Sequence, residues 1–301
     1  MTSGRVARGP VRYNKRMDDA VARDARRLVD FIRPLEHCIV AFSGGVDSAV
    51  VANAAQAALG EKALAITGVS ASLASGELEV AERIAKAIGI GHETLLTDEL
   101  ADPNYLKNAP DRCFHCKTEL YTKLAAEAAR RGGAVILNGA NADDGGDFRP
   151  GMTAAAQHSV RSPLAECGLR KDDVRRLAQA WGIEVWDKPA TPCLSSRVAY
   201  GVAVTPERLA MVDRAEALLR DLGFSRFRVR LHENSLARLE LPIDQLPQLC
   251  IEATRLKIVE ALREIGFRYV AVDLEGFRSG SFQQLVPAED LVRFEQRASI
   301  T

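Results

Sequence analysis

No run of 18 apolar residues occurs in the sequence, so it offers no helical segment able to span a bilayer. It has no excess of charge either. Its 40 basic and 40 acidic side chains leave a formal net charge of +0, which gives no support for a general nucleic-acid binder or a protein held on anionic membranes. Cysteine is scarce, six in 301 residues, too few for a disulfide scaffold. The basic N-terminal stretch has no apolar run behind it, so it does not read as a secretory signal, and by composition residues 1–16 form a flexible, solvated leader. Internal repeats and low-complexity tracts are absent. Neither the Walker A pattern G-x-x-x-x-G-K-[ST] nor the dinucleotide pattern G-x-G-x-x-G is found. What remains is a globular balance, 47% hydrophobic and 27% charged, long enough for two domains, each with its own core.

Apolar periodicity places a helix over 17–35 (Val21, Leu28, Ile32, Leu35). Short apolar runs at 38–42, 63–69, 92–96 and 134–139 read as strands. Helices over 49–59, 75–88 (with Ser75 as N-cap) and 113–131 fall between them. Residues 98–110 read as a polar loop, and 141–170 as loop-rich. A helix follows over 172–181, then a second loop over 187–201. Strands alternating with helices imply an α/β fold, a parallel sheet with helices on both faces. Further on, a helix over 206–222, strands over 226–231 and 236–241, a largely helical stretch over 246–265 and a strand over 268–274 imply a small α+β domain with antiparallel pairing. The boundary is set near residue 203, giving domains of 17–203 and 204–301.

The strongest local signal is Ser43-Gly44-Gly45-Val46-Asp47-Ser48, between a strand and a helix. Glycines let the backbone turn tightly and approach a ligand. Ser43 and Ser48 offer hydroxyls, and the helix N-terminus directs unpaired N–H groups at an anion. A bare S-G-G could be an ordinary turn capped by Asp47; the full hexapeptide in this context is a phosphate cradle. It resembles the signature of the PP-loop ATP pyrophosphatases, the adenine nucleotide alpha hydrolase-like group. That resemblance implies cleavage of ATP between the α- and β-phosphates, with an adenylated substrate and pyrophosphate as products. The second nucleophile, ammonia or sulfur, is left open by this motif.

Cys113 and Cys116 form a C-x-x-C pair at a helix start, next to Arg112 and Lys117. The spacing puts both sulfurs on one helix face, and the helix N-terminus and cations favour thiolate. Two cysteines packed under a helix would show the same spacing. Cys193 lies in a Pro-flanked loop near Arg197, a setting that suits an accessible thiol. Cys38 and Cys250 read as core residues, and Cys167 as structural.

Four segments together, SGGVDS (43–48), DRCFHCK (111–117), NGANADDGGDFRPG (138–151) and KPATPCLSSR (188–197), resemble the LarE family of ATP-dependent sulfur transferases over nearly the whole chain. The resemblance implies ATP and Mg²⁺ as cofactors. It also implies adenylation of a carboxylate of pyridinium-3,5-biscarboxylic acid mononucleotide, followed by replacement of oxygen with sulfur, in the biosynthesis of a nickel-pincer nucleotide. In one form of the family a cysteine, here matching Cys193, gives up its sulfur and becomes dehydroalanine. In the other, three cysteines hold a [4Fe-4S] cluster; Cys113, Cys116 and Cys193 match that pattern, and the cluster form is preferred here.

Asn141, Asp143, Asp144, Asp147 and Arg149 follow the fourth strand, at the end of a parallel sheet where ligands bind. Asp47 and Asp144 are candidates for Mg²⁺ or ATP and Arg149 for a phosphate, although a solvated acidic loop would look alike. Arg228 and Arg230 alternate on one strand and so share a face, suiting a phosphate or carboxylate, or else pairing with Glu240. Family analogy assigns them, with Ser196, Arg197 and Glu216, to the substrate monophosphate. Arg278 is a weaker candidate, and His115 and His232 receive no role. The partners implied are a small nucleotide, other copies of the chain assembled through the smaller domain, and passing contact with other enzymes of cofactor biosynthesis. The location implied is a reducing cytoplasm. Amidation by ammonia, tRNA thiolation and a catalytically silent nucleotide sensor are the competing functions. The first lacks a glutaminase domain, net charge 0 with no appended RNA module argues against the second although residues 1–16 offer a local basic patch, and the third leaves the cysteines unexplained.

Overall fold

The apolar tetrapeptide Cys38–Ala41 forms β1, an inner strand of a four-stranded parallel sheet. It pairs on one side with β2 (Ala63–Val69) and on the other with β4 (Val135–Leu137); β3 (Gly91–Leu96) lies beyond β2, giving the order β3-β2-β1-β4. Cys38 stands level with Ala63 and with Val135. The computed structural model describes residues 18–146, 150–189 and 191–278. The leader at 1–16, Asp147 and Arg149 lie outside them.

Contacts divide the chain into two units. The first comprises Met1–Val69, Gly76–Thr97 and Lys117–Thr191, and the second Ser70–Ser75, Asp98–Cys116 and Pro192–Thr301. The boundary read near residue 203 thus falls inside the second unit.

In the first unit, parallel neighbours require crossovers, and helices Val46–Leu59 and Glu77–Ile88 supply them. Helix Val46–Leu59 is rich in alanine and valine all round and buried on most of its surface, as a helix packed on several sides must be. Helix Asp19–Ile32 instead buries one stripe, Val21, Ala25, Leu28, Val29 and Ile32. The core gathers these residues with Val40, Phe42, Leu137, Leu164 and Leu177. β3, at one edge of the sheet, carries mostly exposed residues.

The second unit holds a mixed sheet of β5 (Arg228–His232), β6 (Leu236–Glu240) and β7 (Tyr269–Val272), in that order. β5 and β6 form the antiparallel hairpin read from the sequence, with Arg228 opposite Glu240. β7 runs parallel to β6, because helices Leu246–Cys250 and Glu252–Ile265 carry the chain back across the sheet. Its core includes Leu209, Val212, Leu219, Phe224, Val229, Leu239, Leu262 and Phe267.

Several local expectations change. The helix read from 49 starts at Val46, with Gly45 as N-cap, so Asp47 and Ser48 belong to its first turn. Ser75 does not cap the next helix; Gly76, at φ 84°, takes that position, and the Ser75 side chain bonds Asp213 instead. Within the stretch read as a polar loop, Pro103–Leu106 is helical, capped by the Asp102 carboxylate, which accepts from the Asn104 N–H at 2.8 Å. The helix read over 246–265 breaks at Ile251, whose ψ of 130° is extended. Cys250 precedes that break and is exposed, which corrects its reading as a core residue. Cys38 and Cys167 are buried, as read.

Candidate active site

In the first unit, the loop at 43–48 is held from within. The Ser43 and Ser48 hydroxyls lie 3.2 Å apart. The Ser48 Oγ donates to the Gly45 carbonyl at 3.0 Å and accepts from the Ser43 N–H at 3.3 Å. Gly44 has φ +70°, and a Cβ there would meet the backbone of Ala81 at 2.8 Å. Only glycine fits that turn. Gly139, just past β4, is constrained from the other side, since a Cβ would stand 2.8 Å from the Ser48 N. The loop therefore presents the N-terminus of Val46–Leu59, without a side-chain cap, at the carboxyl end of the sheet. That is the geometry of an anion site in a parallel α/β fold.

Asp47 is engaged on both oxygens. Oδ2 takes the ammonium of Lys171, and Oδ1 accepts from Asn141 Nδ2 at 3.2 Å. Asn141 is positioned in turn by Asp144, which accepts from its N–H at 2.9 Å. The Lys171 N–H donates to Asp143 at 2.8 Å. The structure thus gathers Asp47, Asn141, Asp143 and Asp144, and it adds Lys171, which the sequence reading missed.

The second unit holds all three candidate thiols. Cys113 is exposed, while Cys116 and Cys193 are half-buried. Arg112, next to Cys113 in the chain, is 4% exposed. Burial works against its charge, but the Cys193 and Cys113 side chains favour it, and Arg112 is held above its ordinary pKa. Burial and then the Cys193 charge push the Tyr105 phenol up. Tyr105 in turn shares a 2.6 Å hydrogen bond with the Ser195 hydroxyl.

Arg197, Glu216, Arg228 and Arg230 also meet in this unit. Arg197, 1% exposed, makes a two-pronged pair with Glu216 at 3.0 and 3.1 Å and donates to the Cys193 carbonyl at 3.0 Å. Arg230 pairs with the buried Glu240 at 2.9 Å and donates to the Ser196 carbonyl at 2.8 Å. The Ser196 hydroxyl donates to the Cys193 carbonyl at 2.7 Å. Arg228 lies over the Phe277 ring at 5.0 Å. Burial, then the Arg197 and Arg230 charges, lower Arg228 to about 10. Cations outnumber anions in this group, which suits an incoming phosphate or carboxylate. Arg278 pairs with Asp273 and Glu275. His115 sits between Asp102 and Asp111.

Among the described residues, no group of three or more His, Cys, Asp and Glu is disposed to hold a metal ion. Asp47, tied to Lys171 and Asn141, does not fit a magnesium ion held by the protein. The thiols fit an iron–sulfur cluster by chemistry, being three sulfurs in one unit, but they do not close on a common point. No described helix is long and apolar enough to cross a membrane.

Comparison with known proteins agrees with this geometry. The asparagine synthase family model matches residues 15–185. The chain is 45% identical over 259 residues to an uncharacterised protein of Synechocystis sp., covering 86% of this chain and 96% of that one. It is 37% identical over 268 residues to the pyridinium-3,5-bisthiocarboxylic acid mononucleotide synthase of Lactiplantibacillus plantarum, covering 89% and 96%. It is 28% identical over 193 residues to a tRNA-specific 2-thiouridylase of Rickettsia felis, about half of each chain (50% and 51%).

Proposed function

This chain belongs to the LarE family of ATP-dependent sulfur-transferring enzymes, and we propose that it adenylates a carboxylate of pyridinium-3,5-biscarboxylic acid mononucleotide and replaces an oxygen of that group with sulfur. A carboxylate oxygen attacks the α-phosphorus of ATP, the bridge to the β-phosphorus breaks, and pyrophosphate leaves. A sulfur nucleophile then adds at the acyl carbon, and AMP departs with the oxygen. The observation that carries this reading is the presence, in one chain, of an anion cradle at Ser43–Ser48 and of three cysteines in the second unit, two of which, Cys113 and Cys193, bear on the buried Arg112.

In this reading Ser43, Gly44, Gly45, Asp47 and Ser48, with Asn141, Asp144 and Arg149, hold the nucleotide. Lys171 keeps Asp47 from repelling the polyphosphate. Ser196, Arg197, Glu216, Arg228 and Arg230 receive the substrate monophosphate. Cys113, Cys116 and Cys193 are the residues that would hold a [4Fe-4S] cluster; when bound, such a cluster supplies an iron able to carry an extra sulfide. Without it, Cys193 itself forms the thioester, and loss of its Cα proton with cleavage of its Cβ–S bond leaves dehydroalanine and the thiocarboxylate. Self-assembly is assigned to residues 204–301, and six cysteines with no disulfide among the described residues suit a reducing cytoplasm. tRNA thiolation has support over only half the chain.

The test is incubation of the purified chain with α-³²P-ATP and the biscarboxylate nucleotide. Labelled AMP together with a sulfur-containing product supports the reading. AMP without sulfur incorporation would sink the transferase half, and no AMP would sink both halves.

A further inference from the structure

We propose that Arg112 is a positioning residue that ties the Cys193 loop to the first turn of the C-x-x-C helix and so sets where the Cys193 thiol stands relative to Cys113 in the metal-free chain. This rests on the sulfur-transfer reading above. An arginine is rarely buried without a specific demand for its charge. Arg112 opens helix Arg112–Arg130, next to Cys113. Its Nη1 donates to the Ser195 carbonyl at 2.8 Å, two residues from Cys193, and to the Asn108 side-chain oxygen.

Asn108 extends the same grip. It is fully buried, sits at φ 53°, and its Nδ2 donates to the carbonyls of Val198, Ala199 and Val202 at 3.2, 2.8 and 3.0 Å. Tyr105 holds the Ser195 hydroxyl, and the Leu194 N–H donates to the Ser72 carbonyl at 2.8 Å. The chain around Cys193 has no strand of its own, only the helical turn Leu194–Arg197. These bonds help set its place, and Arg112 joins them to the cysteine-bearing helix. A neutral side chain of similar volume would fill the space and keep Asn108 but release Ser195.

The experiment uses the full chain, purified free of metal, with Cys116→Ser so that Cys113 and Cys193 are the candidate thiols left to be linked. Dibromobimane is added, and the link between the Cys113 and Cys193 peptides is measured by mass spectrometry. The link is expected to form in this parent, to fall several-fold with Arg112→Gln, and to recover in part with Arg112→Lys. A parent that forms no link, or a link undiminished by Arg112→Gln, overturns the proposal.

In parallel, with Cys116 restored, substrate-dependent ATP–pyrophosphate exchange is compared with formation of the sulfur product. Arg112→Gln is expected to keep exchange while losing sulfur transfer by on the order of 100-fold, the scale of an ångström-level misplacement. Equal loss of both activities and of melting temperature in Arg112→Gln, with no recovery in Arg112→Lys, marks a purely structural residue and also overturns it. Failure of exchange in the unmutated chain refutes the sulfur-transfer reading instead, and leaves the cross-link result standing on its own.

Discussion

At Gly139 a single missing atom decides whether the loop at 43–48 can sit where it does. A Cβ there would press on the Ser48 N at 2.8 Å and on Asp47 at 3.1 Å. Gly139→Ala is expected to cost about 1–3 kcal/mol of stability, measured by denaturant titration, and to abolish AMP formation by shifting the helix N-terminus. Lys171 gives a second residue-scale test. Without its ammonium, Asp47 faces the polyphosphate uncompensated, so Lys171→Met is expected to raise the KM for ATP roughly tenfold, or ~1.4 kcal/mol, with little change in melting temperature. A third test concerns His92, bonded to the Thr67 hydroxyl at 2.8 Å. Burial, against the opposing charges of Glu82 and Glu93, holds its pKa below the ordinary value. The unfolded chain takes up this proton near pH ~6.5, while the folded chain stays neutral to lower pH. The stability is thus fully present above that value and is lost as pH falls through the folded pKa. The melting temperature is expected to drop between pH 7 and 5, and His92→Gln should flatten the slope. Ser43, Gly44, Gly45 and Ser48 were legible in the sequence because the whole signal lies within six consecutive residues. Lys171 was not, because it reaches Asp47 across 124 positions with no local pattern to announce it.

Elements tell the same story through their ends. Helix Pro206–Asp221 was readable because Thr205 and Pro206 mark its start, and the Thr205 hydroxyl does accept from the Arg208 N–H at 3.3 Å. Thr205→Ala is expected to lower stability by about 1 kcal/mol, seen as an earlier urea midpoint with an unchanged slope. Ser75 carried an equally good cap signal and failed, because Asp213, 138 residues away, claims its hydroxyl and its N–H. The break at Ile251 escaped notice because Leu249, Cys250 and Ile251 look like a helix interior. Leu249 alone of the three is buried, and exposed Ile251 caps the helix that follows. Parallel β7 shows the reverse case: strand and helices were each visible, but pairing direction follows from the crossover that joins them.

For the whole molecule, the question is how the sulfur is supplied. If the three thiols hold a cluster, anaerobic reconstitution is expected to give about four irons per chain, lost in Cys113→Ala, Cys116→Ala and Cys193→Ala alike. If Cys193 is consumed instead, its peptide should lighten by about 34 Da after turnover, the mass of H₂S lost from an oxidisable cysteine side chain. The sequence marked all three cysteines but not their surroundings: Asn108 lay in a stretch read as loop, and Arg112 was noted only as a nearby charge.

The second unit is assembled from Ser70–Ser75, Asp98–Cys116 and everything after Pro192. During synthesis its first two pieces therefore leave the ribosome long before the segment that completes them, and Arg112 and Asn108 must wait in the nascent chain for the carbonyls of Ser195, Val198, Ala199 and Val202. Cutting the gene at codon 203 would accordingly yield two fragments, with one carrying the Cys193 loop and its anchors but lacking the hydrophobic core that buries them.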